Sequence, residues 1–377
     1  MRHERPGCRL LLVGAGHAHL HLVVRARELV DAGYAVQLLA PPTFSYSGVA
    51  SACATGALPA DAGTVDVAAL AAGHPVTHHI GELAQLDLPG RRARTSDGAW
   101  LHWDVLSLNI GSVASAESLE VDPEVLRIKP LESLGDLRLR VADRRHQMGD
   151  HTGDVDAEVA AARVTLVGGG PSGLELAGNL SAQGRTRVTI LEAGATLDPQ
   201  LPARARRRAR RMLRSRGVRV HTGTRVVRLG QRDVTLADDR TLAHDVAVLA
   251  TGLVSPPLGQ RIGLGGPDGI PVRATLQHRD HDDVYAVGDC ADFLPRPLAR
   301  IGVHGVRQGP VLLGSLLARA AGEALPEYVP QRHALQILDL GGGLGLAVRG
   351  RWWWQGRLAL HLKRWIDRRW LRTYQRA

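Results

Sequence analysis

Residues 9–19 read Arg9-Leu-Leu-Leu-Val-Gly14-Ala-Gly16-His-Ala-His19, and residues 163–173 read Arg163-Val-Thr-Leu-Val-Gly168-Gly-Gly170-Pro-Ser-Gly173. Each is an apolar run of strand length, then a glycine-rich turn, then a helix-like segment, Leu20 to Ala32 and Leu174 to Ala182. Each continues through a further glycine into a second strand, Val36 to Ala40 and Val188 to Glu192. Strand, glycine turn, helix and strand in this order form the βαβ unit that holds dinucleotides. The first glycine permits the tight turn, the second lets the backbone approach a diphosphate, and the third lets the helix lie close to the strand. The helix N-terminus then offers free N–H groups and the positive end of its dipole to the phosphates. One such turn is weak evidence. Two in register, each with its second strand, predict an α/β chain with two nucleotide sites.

A second repeat extends the pattern. Trp103-Asp104-Val-Leu-Ser-Leu-Asn-Ile-Gly111 parallels His244-Asp245-Val-Ala-Val-Leu-Ala-Thr251-Gly252. Both are a polar start, a buried strand and a glycine turn. Val284-Tyr-Ala-Val-Gly288-Asp289 then puts a carboxylate at the C-terminal end of a strand, where open α/β sheets bind ligands. These signals predict two interleaved Rossmann-like domains. Residues 1–125 and 251–325 form one, residues 126–250 the other, and residues 326–377 a C-terminal α+β extension.

The order glycine turn, glycine turn, Thr-Gly, Gly-Asp resembles the pyridine nucleotide-disulfide oxidoreductase superfamily and, within it, type II NADH dehydrogenase-like proteins. The Gly-His-Ala-His form of the first turn, Tyr46-Ser47-Gly48, Arg307-Gln308-Gly309-Pro310 and the segment from Lys363 to Arg369 resemble a narrower group. That group is the flavoprotein domain often fused to selenophosphate synthetase (selenide, water dikinase). The resemblance spans essentially the whole chain and implies two cofactors, FAD and NADH, with NADPH also admissible. By it, Gly14, Gly16 and His17 would hold the FAD diphosphate, and Gly288 and Asp289 its ribityl or diphosphate region. Gly111, Thr251 and Gly252 would mark the crossings between the two domains. Gly168, Gly170 and Gly173 would hold the NADH diphosphate and Glu192 its adenosine ribose. Glu175 would lie near the nicotinamide–flavin contact. Two departures stand out. His19 occupies the place of the third glycine, which predicts looser packing there. Ala40 stands where the second copy has Glu192, so the usual acidic ribose contact to FAD is missing.

A carboxylate at Glu192 accepts bonds from the 2′-hydroxyl of NADH and repels the 2′-phosphate of NADPH, although Arg185 and Arg187 would tolerate a phosphate. Residues two apart on a helix point to different faces, so His17, His19 and His21 predict no metal site. Cys8, Cys53 and Cys290 include no close pair, and disulfide exchange needs an attacking and a resolving thiol. Cys53 therefore reads as a packed residue, and the cofactor carries the chemistry. His304 and Gln308 lie four apart on a helix running to Leu317. The resemblance makes them candidates for a quinone-facing pair. A slip of one residue would give Val303 and Arg307, and the alternative is that the helix N-terminus simply faces the flavin. The expected function is an FAD-dependent NAD(P)H dehydrogenase passing hydride from NADH to flavin and then to an acceptor, a quinone. A regulatory or partner-specific flavoprotein with slow turnover, which Ala40 favours, and a selenium- or sulfur-linked reductase are the alternatives.

Composition narrows the classes. The 377 residues carry a formal charge of +10 and are 44% hydrophobic, ordinary for a folded enzyme with a large core. Lys129 and Lys363 are the only lysines. No nucleic-acid-binding motif accompanies the positive charge, so no nucleic-acid partner is expected. The charged N-terminus and its strand-length apolar run do not form a signal peptide, and no apolar run of about 18 residues exists to span a bilayer. A cytoplasmic setting follows as the expectation, with peripheral contact on the inner face of the cell membrane left open by the tail. There Leu358, Leu362, Trp365, Ile366 and Trp370 are expected on one helix face and Lys363, Arg364, Arg368 and Arg372 on the other. Such a helix suits a membrane interface, or it packs on its own domain or on a second subunit in a homodimer. The run Arg204 to Arg216 reads as a solvated basic face that stops at Gly217.

Overall fold

The computed structural model describes residues 7–149 and 161–375. The two apolar runs each become the middle strand of a five-stranded parallel sheet. Cys8–Val13 lies between Tyr34–Ala40 and Val105–Leu108, with Thr77–Ile80 and Val284–Ala286 at the edges. Ala162–Val167 lies between Thr186–Glu192 and Val246–Leu249, with Arg219–Thr222 and Leu126–Arg127 at the edges. Central parallel strands are covered on both faces, which is why they read as unbroken apolar runs rather than alternating ones. Leu10, Leu11 and Leu12 are fully buried, as is Leu166.

The polar start of the second repeat has a structural cause. The backbone N–H and the guanidinium of Arg9 both donate to the Asp104 carboxylate, at 2.8–2.9 Å. Arg163 repeats this with Asp245, at 2.8–3.1 Å. Each sheet therefore fastens its middle strand to its crossing strand with an Arg–Asp clamp. The bonds from Arg9 hold the Asp104 carboxyl down at about 2.

The helices depart from the expected spans. The segment expected over Leu20 to Ala32 begins at His17 and is broken at Arg25 into His17–Val24 and Ala26–Asp31, because Arg25 leaves helical geometry (φ −102°, ψ 14°). The second corner helix, Pro171–Ala182, starts earlier than Leu174 because Pro171 at its first position already has the helical φ. The basic helix Ala203–Ser215 stops before Gly217.

The extension is an antiparallel sheet of Gln336–Asp339, Gly345–Arg349 and Trp352–Gly356, followed by the helix Arg357–Tyr374. It straddles the two cores. Leu338, Leu346 and Val348 join the core of the second sheet, while Leu371 and Tyr374 join that of the first. The expected polarity of this last helix is corrected. Leu358 and Trp365 are 79% and 56% exposed, whereas Ala359, Leu360, Asp367, Leu371 and Tyr374 are buried. Lys363, assigned to the outer flank, points inward and pairs with Asp367 at 3.1 Å. Residues four apart share a helix face, so the two charges neutralise each other and go inside together.

Candidate functional site

Both glycine corners open onto one cavity of about 1080 Å3. Gly16, His17, Asn109, Gly111, Gly288 and Asp289 line it from the first domain. Gly168, Gly170, Glu175, Glu192, Thr251 and Gly252 line it from the second.

At the first corner Gly14 turns with φ +86°, and a Cβ there would lie 2.5 Å from the Asn109 carbonyl oxygen. His19 fills the place of the third glycine with a bonded ring. Its ring is fully buried, with Nδ1 2.6 Å from the Gly14 oxygen and Nε2 2.8 Å from Ser107 Oγ. Its burial drops the imidazole to about 4, so it is neutral near pH 7. His17 meets Phe44, Tyr46 and Trp370 at ring separations of 5.0–5.8 Å, and desolvation takes it to about 3. Ala40 is buried at the end of its strand and brings no polar group to the cavity. On the far side, Asp289 accepts a bond from Ser112 Oγ at 2.7 Å.

At the second corner a Cβ on Gly168 would lie 2.2 Å from the Ala250 oxygen, and one on Gly173 would lie 2.2 Å from the Gly168 oxygen. Gly173 thus allows the close helix–strand approach that His19 replaces at the first corner. Glu192 accepts from the N–H of Gly169 at 2.7 Å and of Gly194 at 2.6 Å, so its carboxylate sits across the mouth of its own turn. Thr251 Oγ1 donates to the Ser115 oxygen at 2.5 Å, linking the two crossing segments.

Sequence reasoning missed a buried polar array between the corners. Glu175 accepts from the Asp339 N–H at 2.8 Å and from Ser51 Oγ at 3.3 Å. Its burial raises the carboxyl to about 7, against the opposing pull of Lys363. Lys363 Nζ donates to the Gly48 oxygen at 2.5 Å, and Tyr46 Oη donates to Asp367 at 2.9 Å. Lys363 and Asp367 lie far along the chain, and only their spacing of four residues hinted that they pair.

His304 and Gln308 do not line the cavity, a correction to their expected place. His304 Nδ1 bonds Tyr328 Oη at 2.8 Å, and Gln308, 1% exposed, accepts from the Gly288 N–H at 2.6 Å. Their helix, Gly302–Ala321, presents Gly302 and Gly305 to the cavity instead. Gln308 braces the Gly-Asp turn. The three cysteines are free thiols, and none lines the cavity.

The corners fit dinucleotides. A Cβ built on Gly111, Gly170 or Gly252 meets nothing within 4 Å, leaving bare backbone toward the cavity for a diphosphate. Two such folds facing one cavity, with a Gly-Asp turn closing one side, define a two-dinucleotide flavoprotein oxidoreductase. A family model described as pyridine nucleotide-disulphide oxidoreductase matches residues 8–309, and the chain belongs to that family. FAD and NAD(H) are its cofactors.

The chain is 33% identical over 212 residues to a nitric oxide reductase FlRd-NAD(+) reductase of Aeromonas hydrophila, covering 53% of each protein. It therefore spans about half the length of the curated relatives it matches. Among solved structures it resembles NDH2 from Plasmodium falciparum, with a TM-score of 0.82 at 13% identity over 96% of this chain and 94% of the other. It also resembles a ferredoxin reductase for the CYP199A2 system of Rhodopseudomonas palustris, with a TM-score of 0.71 at 22% identity over 90% and 81%. At these identities the structures speak to fold alone.

Proposed function

We propose that this flavoprotein oxidises NADH and reduces a quinone. The observation that carries the reading is the buried array of Glu175, Lys363, Asp367 and Tyr46 beside the cavity. Reducing a quinone to a quinol takes two electrons and two protons, whereas an iron–sulfur protein takes electrons alone. A carboxyl near 7 releases and regains a proton at neutral pH; Lys363 acts on it through its charge and pairs with Asp367, which accepts from Tyr46. Bound flavin supplies two-electron transfer between nicotinamide and acceptor. Gly14, Gly16, His17, Gly111, Gly288 and Asp289 would hold FAD. Gly168, Gly170, Gly173, Thr251 and Gly252 would hold the nicotinamide nucleotide, and Glu192 would select NADH over NADPH through the ribose 2′ position. None of the three free thiols lines the cavity, which argues against a disulfide-exchange route.

The exposed side of the last helix, with Leu358, Trp365 and Ile366, and the exposed Trp352 and Trp354 of the neighbouring strand form an apolar rim among arginines. We assign this rim to peripheral contact with a bilayer, where long-chain quinones dissolve. A protein acceptor is the second reading, favoured by the relative named as a nitric oxide reductase FlRd-NAD(+) reductase. Steady-state NADH and NADPH oxidation with a short-chain quinone, an acidic ferredoxin-type protein and a selenium or sulfur acceptor separates these readings. Quinone turnover at least tenfold above the others supports the first. Fast turnover with the protein and none with quinone defeats it.

A further inference from the structure

The two corners differ at two paired positions. Val13 lies opposite Leu108 in the first sheet, and Val167 lies opposite Leu249 in the second. The next residue of the crossing strand is therefore Asn109 in one copy and Ala250 in the other. Their backbones do the same work. The Asn109 N–H donates to the Val13 oxygen at 2.8 Å, and the Ala250 N–H to the Val167 oxygen at 2.7 Å.

Their side chains differ. Asn109 is 4% exposed, and its Oδ1 accepts from the N–H groups of Ala18 at 3.1 Å and His19 at 3.4 Å. Its Nδ2 donates to the Val287 oxygen at 2.8 Å. A Cβ on Gly16 would lie 2.4 Å from Oδ1, and one on Gly288 would lie 2.5 Å from Nδ2. The amide thus plugs the junction of the glycine turn, the first helix and the Gly288–Asp289 turn. Ala250 has only a methyl group and pins nothing. The second difference, His19 against Gly173, works the same way, since the ring bonds the turn from beneath.

The donors left for a diphosphate also differ. A helix's first N–H groups have no partner within the helix. At the second corner the helix opens with Pro171, which has no N–H, leaving those of Ser172 and Gly173. At the first corner the equivalent groups, on Ala18 and His19, are already taken by Asn109.

We propose that Asn109 is a positioning residue for FAD. It caps the first helix and holds the Gly16 turn against the Gly288–Asp289 turn before the cofactor arrives. A site already assembled loses less conformational freedom on binding and retains its ligand. The proposal rests on FAD binding and is independent of the acceptor.

The test titrates flavin-stripped protein with FAD, following absorbance and flavin fluorescence. N109A gives the first corner the residue of the second, and about tenfold weaker FAD binding is expected, the scale of one or two lost hydrogen bonds. N109D keeps the size and the acceptor but replaces the Nδ2 donor with a charged oxygen, and is expected to weaken FAD at least as much. Amide hydrogen exchange supplies a readout that general loosening does not move. The Ala18 amide is expected to be protected in the wild-type apoprotein without FAD, and released in N109A while the core strands stay protected. Wild-type FAD affinity in both variants overturns the proposal, as does an Ala18 amide protected only after FAD is added. If N109A does not fold, N109D and exchange in the wild-type apoprotein decide the matter.

Discussion

Glu175 concentrates the chemistry of the site in one carboxyl. Its pKa is raised to about 7 by burial, so near neutrality it is divided between acid and carboxylate. As a proton donor to a quinone it works only while protonated, so quinone turnover should fall as pH rises through about 7. E175Q removes the titration, and turnover is expected to drop about 100-fold with a flattened pH profile, measured as kcat against pH. Unchanged flavin reduction by NADH in the same variant would place the defect in the acceptor half-reaction. His19 makes a separate prediction, on stability. Its folded pKa of about 4 lies below the ordinary 6.5, so the unfolded chain binds the extra proton between those values. Its neutral burial stabilises the fold fully above pH 6.5, and that contribution falls away as pH drops toward 4, by on the order of 3 kcal/mol. Denaturant midpoints of wild type and His19→Gln between pH 7 and 4.5 check this, because the glutamine variant lacks this titration.

At the scale of elements, the duplicated Arg–Asp clamps fasten each middle strand to its crossing strand. The Asp104 carboxyl is depressed to about 2, so the clamp is intact above about pH 3.8 and is lost as acid protonates it in the folded state. D104N and D245N should each lower stability by about 1 kcal/mol at pH 7, since the arginines remain partly solvated. The difference from wild type should vanish by about pH 2, read from acid unfolding curves. The clamps were present in the repeats as Arg9 and Asp104, Arg163 and Asp245, yet only strand register shows that they meet. The corner elements were legible because glycine spacing and apolar runs are local signals. The inner face of the last helix was not. Against its hydrophobic pattern, Trp365 points outward and Lys363 lies inside, an arrangement stabilised by Tyr46 and Gly48 from more than 300 residues away.

Across the whole molecule, the C-terminal extension ties the two nucleotide domains together and buries Lys363 against Gly48 and Asp367. The described residues contain no helix long and apolar enough to cross a membrane. Its exposed tryptophans and arginines predict binding to anionic vesicles rather than to neutral ones. Replacing Trp352, Trp354 and Trp365 together with Ser should reduce co-sedimentation with anionic vesicles about tenfold or more, leaving short-chain quinone turnover intact. Equal binding by wild type and variant would leave the rim to a protein partner or a second copy.

The sequence by itself determined the two βαβ corners, the parallel sheets around them and the presence of two dinucleotide sites, because these depend on backbone conformation and on neighbours within about 30 residues. Tertiary structure alone decided that the His19 ring bonds the turn, that His304 and Gln308 bond Tyr328 and Gly288 rather than lining the cavity, and that Lys363 lies buried against Gly48 and Asp367. Those outcomes depend on which distant groups can satisfy a buried polar atom, and no local pattern encodes that.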